Sequence, residues 1–236
     1  MYKYKNIILV LFFLFINVQV FAWEFPIGAA GVYHHHTTFP EGFADKKFKD
    51  GDTENSVREE AKTTYVLSPK KTFNSVKDFM AFLKTIHASE TEIKEIEFHK
   101  KDPRIAQEKY FITFTKVYLY VFSIEDDNDI HLIFGDSKTD INKETTMNGE
   151  VSGLAVLFTK YKSQIKKIRK KAIQLLEGYA KCNSTSDQPL FIPIKVSGSI
   201  FYDYQHKSRT AKCGCCAASG TAWEIHPIYN LEILAE

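Results

Sequence analysis

Residues 126–136 read DDNDIHLIFGD, and their alternation sets the scheme for the rest of the chain. As a short strand, this stretch puts Ile130, Leu132 and Phe134 on one face. Asp129, His131 and Ile133 fall on the other. A carboxylate and an imidazole thus stand two residues apart on a surface whose reverse is apolar. The pattern returns near the end of the chain, in Trp223–Ile228 (WEIHPI). There Glu224 and His226 share a face, with Trp223 and Ile225 behind them. Between these two pieces, Phe201–His206 (FYDYQH) adds Asp203 and His206.

Upstream of the central stretch, Glu108–Ile124 is long, aromatic and β-branched, as expected of a bent strand in a small barrel. The acidic run 126–129 supplies a turn into the strand Ile130–Phe134. Thr145–Val151 is expected as a third strand. From Leu154 to Ala180 the apolar period changes from two to 3.6. This predicts a long helix with a basic outer face that includes Lys166, Lys167, Arg169, Lys170 and Lys171. Two more strands follow, Pro189–Tyr202 and Ala222–Ile233. Three strands, a helix and two strands is the element order of an OB-fold barrel. The expected class is therefore β-rich α+β: an OB-fold-like five-stranded barrel over 105–236, with a long helix between strands 3 and 4.

Ahead of the barrel, residues 23–104 form an N-terminal extension. It reads as mostly irregular, with a strand near Thr64–Leu67 and one helix at about 73–87. In that helix Val76, Phe79, Met80, Leu83 and Ile86 keep helical spacing behind a cap at Asn74 or Ser75. Asp45–Lys62 is charged and poor in apolar residues. His34, His35 and His36 stand in a row, but three neighbours in sequence converge on one ion only with strain.

Residues 1–22 read as a secretory signal peptide. Lys3 and Lys5 are followed by the apolar run Ile7–Ile16 and by the cleavage motif Val20-Phe21-Ala22. The expected location is outside the cytoplasm, periplasmic or secreted, with no transmembrane segment in the mature chain. Cleavage removes two lysines and no acid, so the 31 basic and 29 acidic residues of the full chain become evenly matched. Net charge therefore gives no case for a polyanionic partner. Four cysteines, Cys182, Cys213, Cys215 and Cys216, are disulfide candidates in an oxidising compartment. Cu⁺ or Zn²⁺ thiolate ligation is the alternative.

Three motifs carry a resemblance. They are the DNDIHL that contains Asp129 and His131, VSGSIFYDYQH at 196–206, and WEIHPI at 223–228; Thr146, Met147 and Glu150 fit a weaker T-M-x-x-E element. Together they resemble a group of small exported bacterial proteins with the pattern D-x-D-x-H-L, V-x-G-x-x-F-x-D-x-x-H, E-x-H-P and no assigned activity. The resemblance covers roughly residues 105–234 and implies an OB-like scaffold with a set of polar positions. It does not supply a reaction. The CGCC segment at 213–216 is an insertion relative to that pattern.

Asp129, His131, Glu150, Asp203, His206, Glu224 and His226 are the chemically useful set. Converging at one end of a barrel, they suit a structural hydrogen-bond network. The same set suits a site for Zn²⁺ or another divalent ion, or a metal-free His–carboxylate general base. The leading expectation is a ligand- or polymer-binding module, taking an oligonucleotide or oligosaccharide on aromatic platforms from Tyr118, Tyr120, Phe201 or Tyr202. A metal-assisted hydrolase or nuclease is the second reading, with Arg104 and Arg209 as the nearest phosphate clamps. An envelope or host-interaction protein is the third. Whether the chain is an enzyme stays open at this point.

Overall fold

The computed structural model describes residues 39–46, 59–93, 104–125, 127–154, 160–180, 189–203 and 219–235. The expected signal peptide, the three-histidine run, His206, Arg209 and all four cysteines lie outside the described residues. In chain order the elements are α1 (Glu59–Thr63), β1 (Lys70–Phe73), α2 (Val76–Thr85), α3 (Glu90–Ile93), β2 (Phe111–Ile124) and β3 (Ile130–Gly135). They continue with β4 (Thr146–Val151), α4 (Lys162–Ala180), β5 (Ile192–Tyr202) and β6 (Trp223–Ile233). None of the described helices is long and apolar enough to cross a membrane.

β2 to β6 close a five-stranded barrel. β2 runs antiparallel to β3, β3 to β4, and β5 to both β6 and β2; β4 and β6 are parallel. The ring order β2-β3-β4-β6-β5, with α4 between β4 and β5, the third and fourth barrel strands along the chain, is the OB-like arrangement expected from the sequence. Closure depends on β2 serving two neighbours. Residues 111–119 pair with β5 and residues 118–124 with β3, with register shifts at Phe114/Val117 and Leu119/Val121. Such shifts bend a strand and raise its twist, which a ring this small requires.

Ile112, Phe114, Leu132, Phe134, Ile194, Val196, Trp223 and Ile225 fill the barrel and are all buried. Gly198 lies where β5 passes closest to β6. A side chain there would collide with the Pro227 carbonyl and the Ile225 side chain, so only glycine fits. One end of the barrel is packed by the apolar face of α4, through Ile168, Ala172 and Leu176. On another side α2 brings Phe79 onto Phe73 and Phe114, at centroid separations of 5.5 and 5.8 Å. The N-terminus of α2 is fixed twice. Ser75 Oγ accepts from Asp78 N at 3.0 Å, and the Asp136 carboxylate accepts from Val76 N and Lys77 N at 2.5 and 3.1 Å.

Three expectations are corrected. The strand expected near 64–67 forms instead at Lys70–Phe73, where the edge of β2 is open to parallel pairing. Residues 64–67 run over the outside of the barrel, with Val66 N donating to Ser199 Oγ at 2.7 Å. In the charged stretch 45–62, α1 begins at Glu59, because Ala61 and Thr63 are buried there and tertiary packing overrides composition. The long helix starts at Lys162 and not at Leu154, whose amide donates to the Lys46 carbonyl at 3.1 Å.

Arg169 reverses its expected orientation. It lies on the inner side of α4 and is fully buried. Its guanidinium donates to the carbonyls of Asn128 (2.8 Å), Ser152 (3.0 Å), Phe43 (2.8 Å) and Ala44 (3.3 Å) and rests over the Phe43 ring at 4.5 Å. Burial pulls its pKa down to about 10, against the opposing pull of Asp129, Asp127 and Asp45. One planar fork thus joins the β2–β3 turn, the end of β4 and the segment 39–46. Arg169→Met is expected to cost about 3–5 kcal/mol, since it strands several buried carbonyls, and Arg169→Lys is expected to recover little. Urea midpoints of the two variants check this.

Candidate functional site

The outward faces of β3, β4 and β6 carry the polar set. The ladder puts His131 opposite Glu150, and the parallel pairing of β4 with β6 puts Asn148 opposite Glu224. Since side chains alternate, His226 stands beside Glu224 on the same face, while Trp223 and Ile225 point into the barrel. Asp129, one residue before β3, is drawn in by its Oδ1, which accepts from Gly153 N. Asp127 Oδ1 in turn accepts from Asp129 N at 3.0 Å and shapes the turn.

An outer barrel face is ordinarily wet. This one is covered, because α1 and the segment after it lie across it. Arg104 fastens that segment, donating to the carbonyls of Thr64 (3.1 Å), Ile200 (2.5 Å) and His226 (2.6 Å). As a result Asp129 and His226 are 0% exposed, Glu224 1% and Glu150 2%. Lys62 of α1 reaches into the same region, with its Nζ 3.9 Å from Asp203 Oδ2 and 5.6 Å from the centre of the Phe201 ring.

His226 is the hub. Its Nδ1 lies 2.8 Å from Glu150 Oε2 and 3.0 Å from Glu224 Oε1, and its Nε2 lies 3.3 Å from Asp129 Oδ2. His131 sits one step away, with its Nδ1 3.1 Å from Glu125 Oε1. Of the seven residues expected from the sequence, the structure gathers Asp129, Glu150, Glu224 and His226 into one contact group. It places His131 and Asp203 at the margin, on Glu125 and Lys62. His206 lies outside the described residues.

Electrostatics follow from this packing. Burial disfavours charge on His226, but Glu150, Asp129 and Glu224 outweigh it and hold the ring protonated well above its usual range. Glu150 is the matching anion: burial would raise it, yet His226 and Lys62 hold it well below the usual carboxylate range. The remaining acids carry protons more readily. Burial and Glu150 push Glu224 up to about 7, and burial with Asp129 and Glu150 pushes Asp127 up to about 8. Asp129 is raised by burial despite the neighbouring His226. For His131, Glu125 overcomes the cost of burial and lifts the ring to about 10.

Several contributors carry no sequence signal that marks them. Lys62 belongs to a charged stretch that reads as irregular, Glu125 to the end of a strand, and Arg169 to a helix face that reads as solvated. Asp127 was readable as one of the acids in the turn. The aromatic platforms need correction: Tyr120 and Tyr202 are 0% exposed and Phe201 2%, so none of them offers a face to a ligand. Tyr118 alone of the four is half-buried. Arg104, a candidate phosphate clamp, is committed to carbonyls of the protein itself.

A different aromatic series does reach the surface. Phe111 meets Tyr229 at 5.9 Å between centroids, Tyr229 meets Tyr65 at 5.1 Å, and Tyr65 meets Tyr161 at 5.3 Å. Lys70 lies over Phe111 at 5.8 Å and Lys160 over Tyr161 at 5.2 Å, so a cation stands at each end. Tyr229 is 43% exposed and Leu67 51%; they are the large hydrophobic residues most open to water among those described. The chain matches none of the family models, curated proteins or solved structures with which it was compared.

Proposed function

We propose that this protein is a ligand-binding module of OB-like architecture, exported from the cytoplasm, that grips a linear anionic polymer on its outer surface. The observation that carries the reading is the four-ring series Phe111–Tyr229–Tyr65–Tyr161 with Lys70 and Lys160 at its ends. Tyr65 is the buried member that props the other rings; the open ones give flat faces for bases or sugar rings. Terminal ammonium groups attract phosphate or carboxylate. The His226 cluster then has a structural part: it fastens the N-terminal segment across the barrel. A hydrolytic centre needs an open position that substrate can reach, and the burial of His226 and its carboxylates disfavours that use.

The test is titration with a single-stranded oligonucleotide, an oligouronate and a neutral glucan of equal length. The two anionic oligomers distinguish the sources of charge. Tyr229→Ala is expected to weaken binding about 10- to 100-fold with an unchanged melting temperature, from the ~1–3 kcal/mol of one stacked ring. Raising salt from about 50 to 200 mM is expected to weaken it roughly sevenfold if two lysines meet the polymer. Absence of binding to either anionic oligomer below about 1 mM, or equal binding by Tyr229→Ala, overturns the reading.

A further inference from the structure

We infer that Asp129, Glu150 and His226 form a buried site for one divalent transition-metal ion that locks the N-terminal segment to the barrel. This goes beyond the polymer-binding reading and stands on different residues. One donor atom from each of the three lies within 4.8 Å of the other two. The 2.8 Å from His226 Nδ1 to Glu150 Oε2 is close to the spacing of neighbouring ligands, since two donors each ~2.0–2.2 Å from an ion stand about 3–3.5 Å apart, while Asp129 Oδ2 faces the opposite nitrogen, Nε2, at 3.3 Å. One ring nitrogen would take the ion. The other keeps its carboxylate, the outer contact that fixes a ligating histidine.

A second observation is independent of the clustering. Asn148 Oδ1 belongs to a residue only 3% exposed, in register with Glu224 and two residues from Glu150 on the same face, and it has no hydrogen-bond partner among the described residues. Buried polar atoms are almost always satisfied. An acceptor left without a donor beside three carboxylates is a position that a cation would satisfy. Charge points the same way. Three carboxylates, Asp129, Glu150 and Glu224, surround one ring, and a divalent ion brings two positive charges where an imidazolium brings one. Mixed imidazole and carboxylate donors suit Zn²⁺, Mn²⁺ or Fe²⁺ better than Ca²⁺, which prefers oxygen alone. Full burial makes the role structural.

Elemental analysis of the untagged full-length chain, with His34→Ala, His35→Ala and His36→Ala introduced to remove the adjacent imidazoles, tests the site. About one ion per chain is expected after dialysis against Zn²⁺ or Mn²⁺, falling to near zero in His226→Gln and Glu150→Gln. His131→Gln is expected to keep the ion, because that ring is held by Glu125. Chelation is expected to lower the melting temperature by roughly 5–10 °C and Zn²⁺ to restore it. Should the variants not fold, Co²⁺ loading of the parent gives a visible d–d band that Zn²⁺ displaces. A parent chain that holds under about 0.1 ion, shows no Co²⁺ band and melts identically with chelator overturns the inference. Equal retention of metal by a folded His226→Gln protein does so too.

Discussion

Replacing His226 by glutamine is expected to lower the unfolding free energy by about 3–5 kcal/mol. The ring is the cation nearest to three buried carboxylates, at 2.8, 3.0 and 3.3 Å. A neutral amide leaves Glu150 as an anion without its counter-charge in a region closed to water, and the protein must then either protonate it or admit solvent. Glutamine keeps the length for a hydrogen bond, so the loss reports charge more than shape. Glu224→Gln is the informative contrast. With its pKa already near 7, Glu224 spends much of its time protonated at neutral pH, and an isosteric amide takes the place of that neutral acid. Its cost is expected to stay under about 1.5 kcal/mol, near that of a single ordinary hydrogen bond. Chemical denaturation of both variants in chelator, at pH 7, checks the order. Equal costs would mean that His226 is held for packing alone.

The chelated protein is also expected to be most stable in mild acid and to weaken steadily towards alkaline pH. The signs agree across the cluster for every group but Glu150. His131 and His226 are raised above the ordinary histidine range, so the stability they add is complete below about pH 6.5 and is lost as pH climbs through their folded values. For His131 that window ends near 10. Glu224 and Asp127, raised to about 7 and about 8, likewise favour folding while protonated and oppose it once ionised. Glu150 alone runs the other way: its depressed value adds stability above the normal carboxylate range, which is lost as pH falls below it. Together these place the maximum at about pH 4–4.5, with a decline that begins as Asp127 and Glu224 ionise in the unfolded chain, steepens above about pH 6.5 and reaches several kcal/mol by pH 10. Urea midpoints measured from pH 4 to 10 would show it. A flat or rising profile over pH 6.5–10 would contradict the assigned protonation states, and His131→Gln should flatten the upper part of the curve.

Much of the barrel was legible because strands with one buried face write a two-residue period into the chain. Ile130, Leu132 and Phe134 do point inward, and Glu224 and His226 do share the outer face with Trp223 and Ile225 behind them. The bend of β2 was readable in its length and its aromatic, β-branched content. What the pattern could not carry is the covering layer. Alternation says that His131 and His226 leave the barrel core; it cannot say that α1 and residues 64–67 then close over them. For the same reason Arg169 reads as one more cation on a basic helix, because its partners are carbonyls from three distant segments and carbonyls have no sequence signature. The aromatic platforms went astray in a related way. Tyr120, Phe201 and Tyr202 have strand-like settings that read as outward, but neighbouring segments bury them, whereas Tyr229 stays open.

The strap that Arg104 and Lys62 hold across the outer wall has a consequence for how the chain can be divided. Trp223 Nε1 donates to the Ala88 carbonyl at 2.9 Å, and Tyr65 Oη donates to the Ile228 carbonyl at 3.4 Å, so the residues before 104, strap included, and the last strand complete each other's bonding. Cutting near residue 104 would not liberate a self-sufficient barrel. It would expose a wall of acids and imidazoles built to face protein, and the excised piece would carry half of each contact away with it.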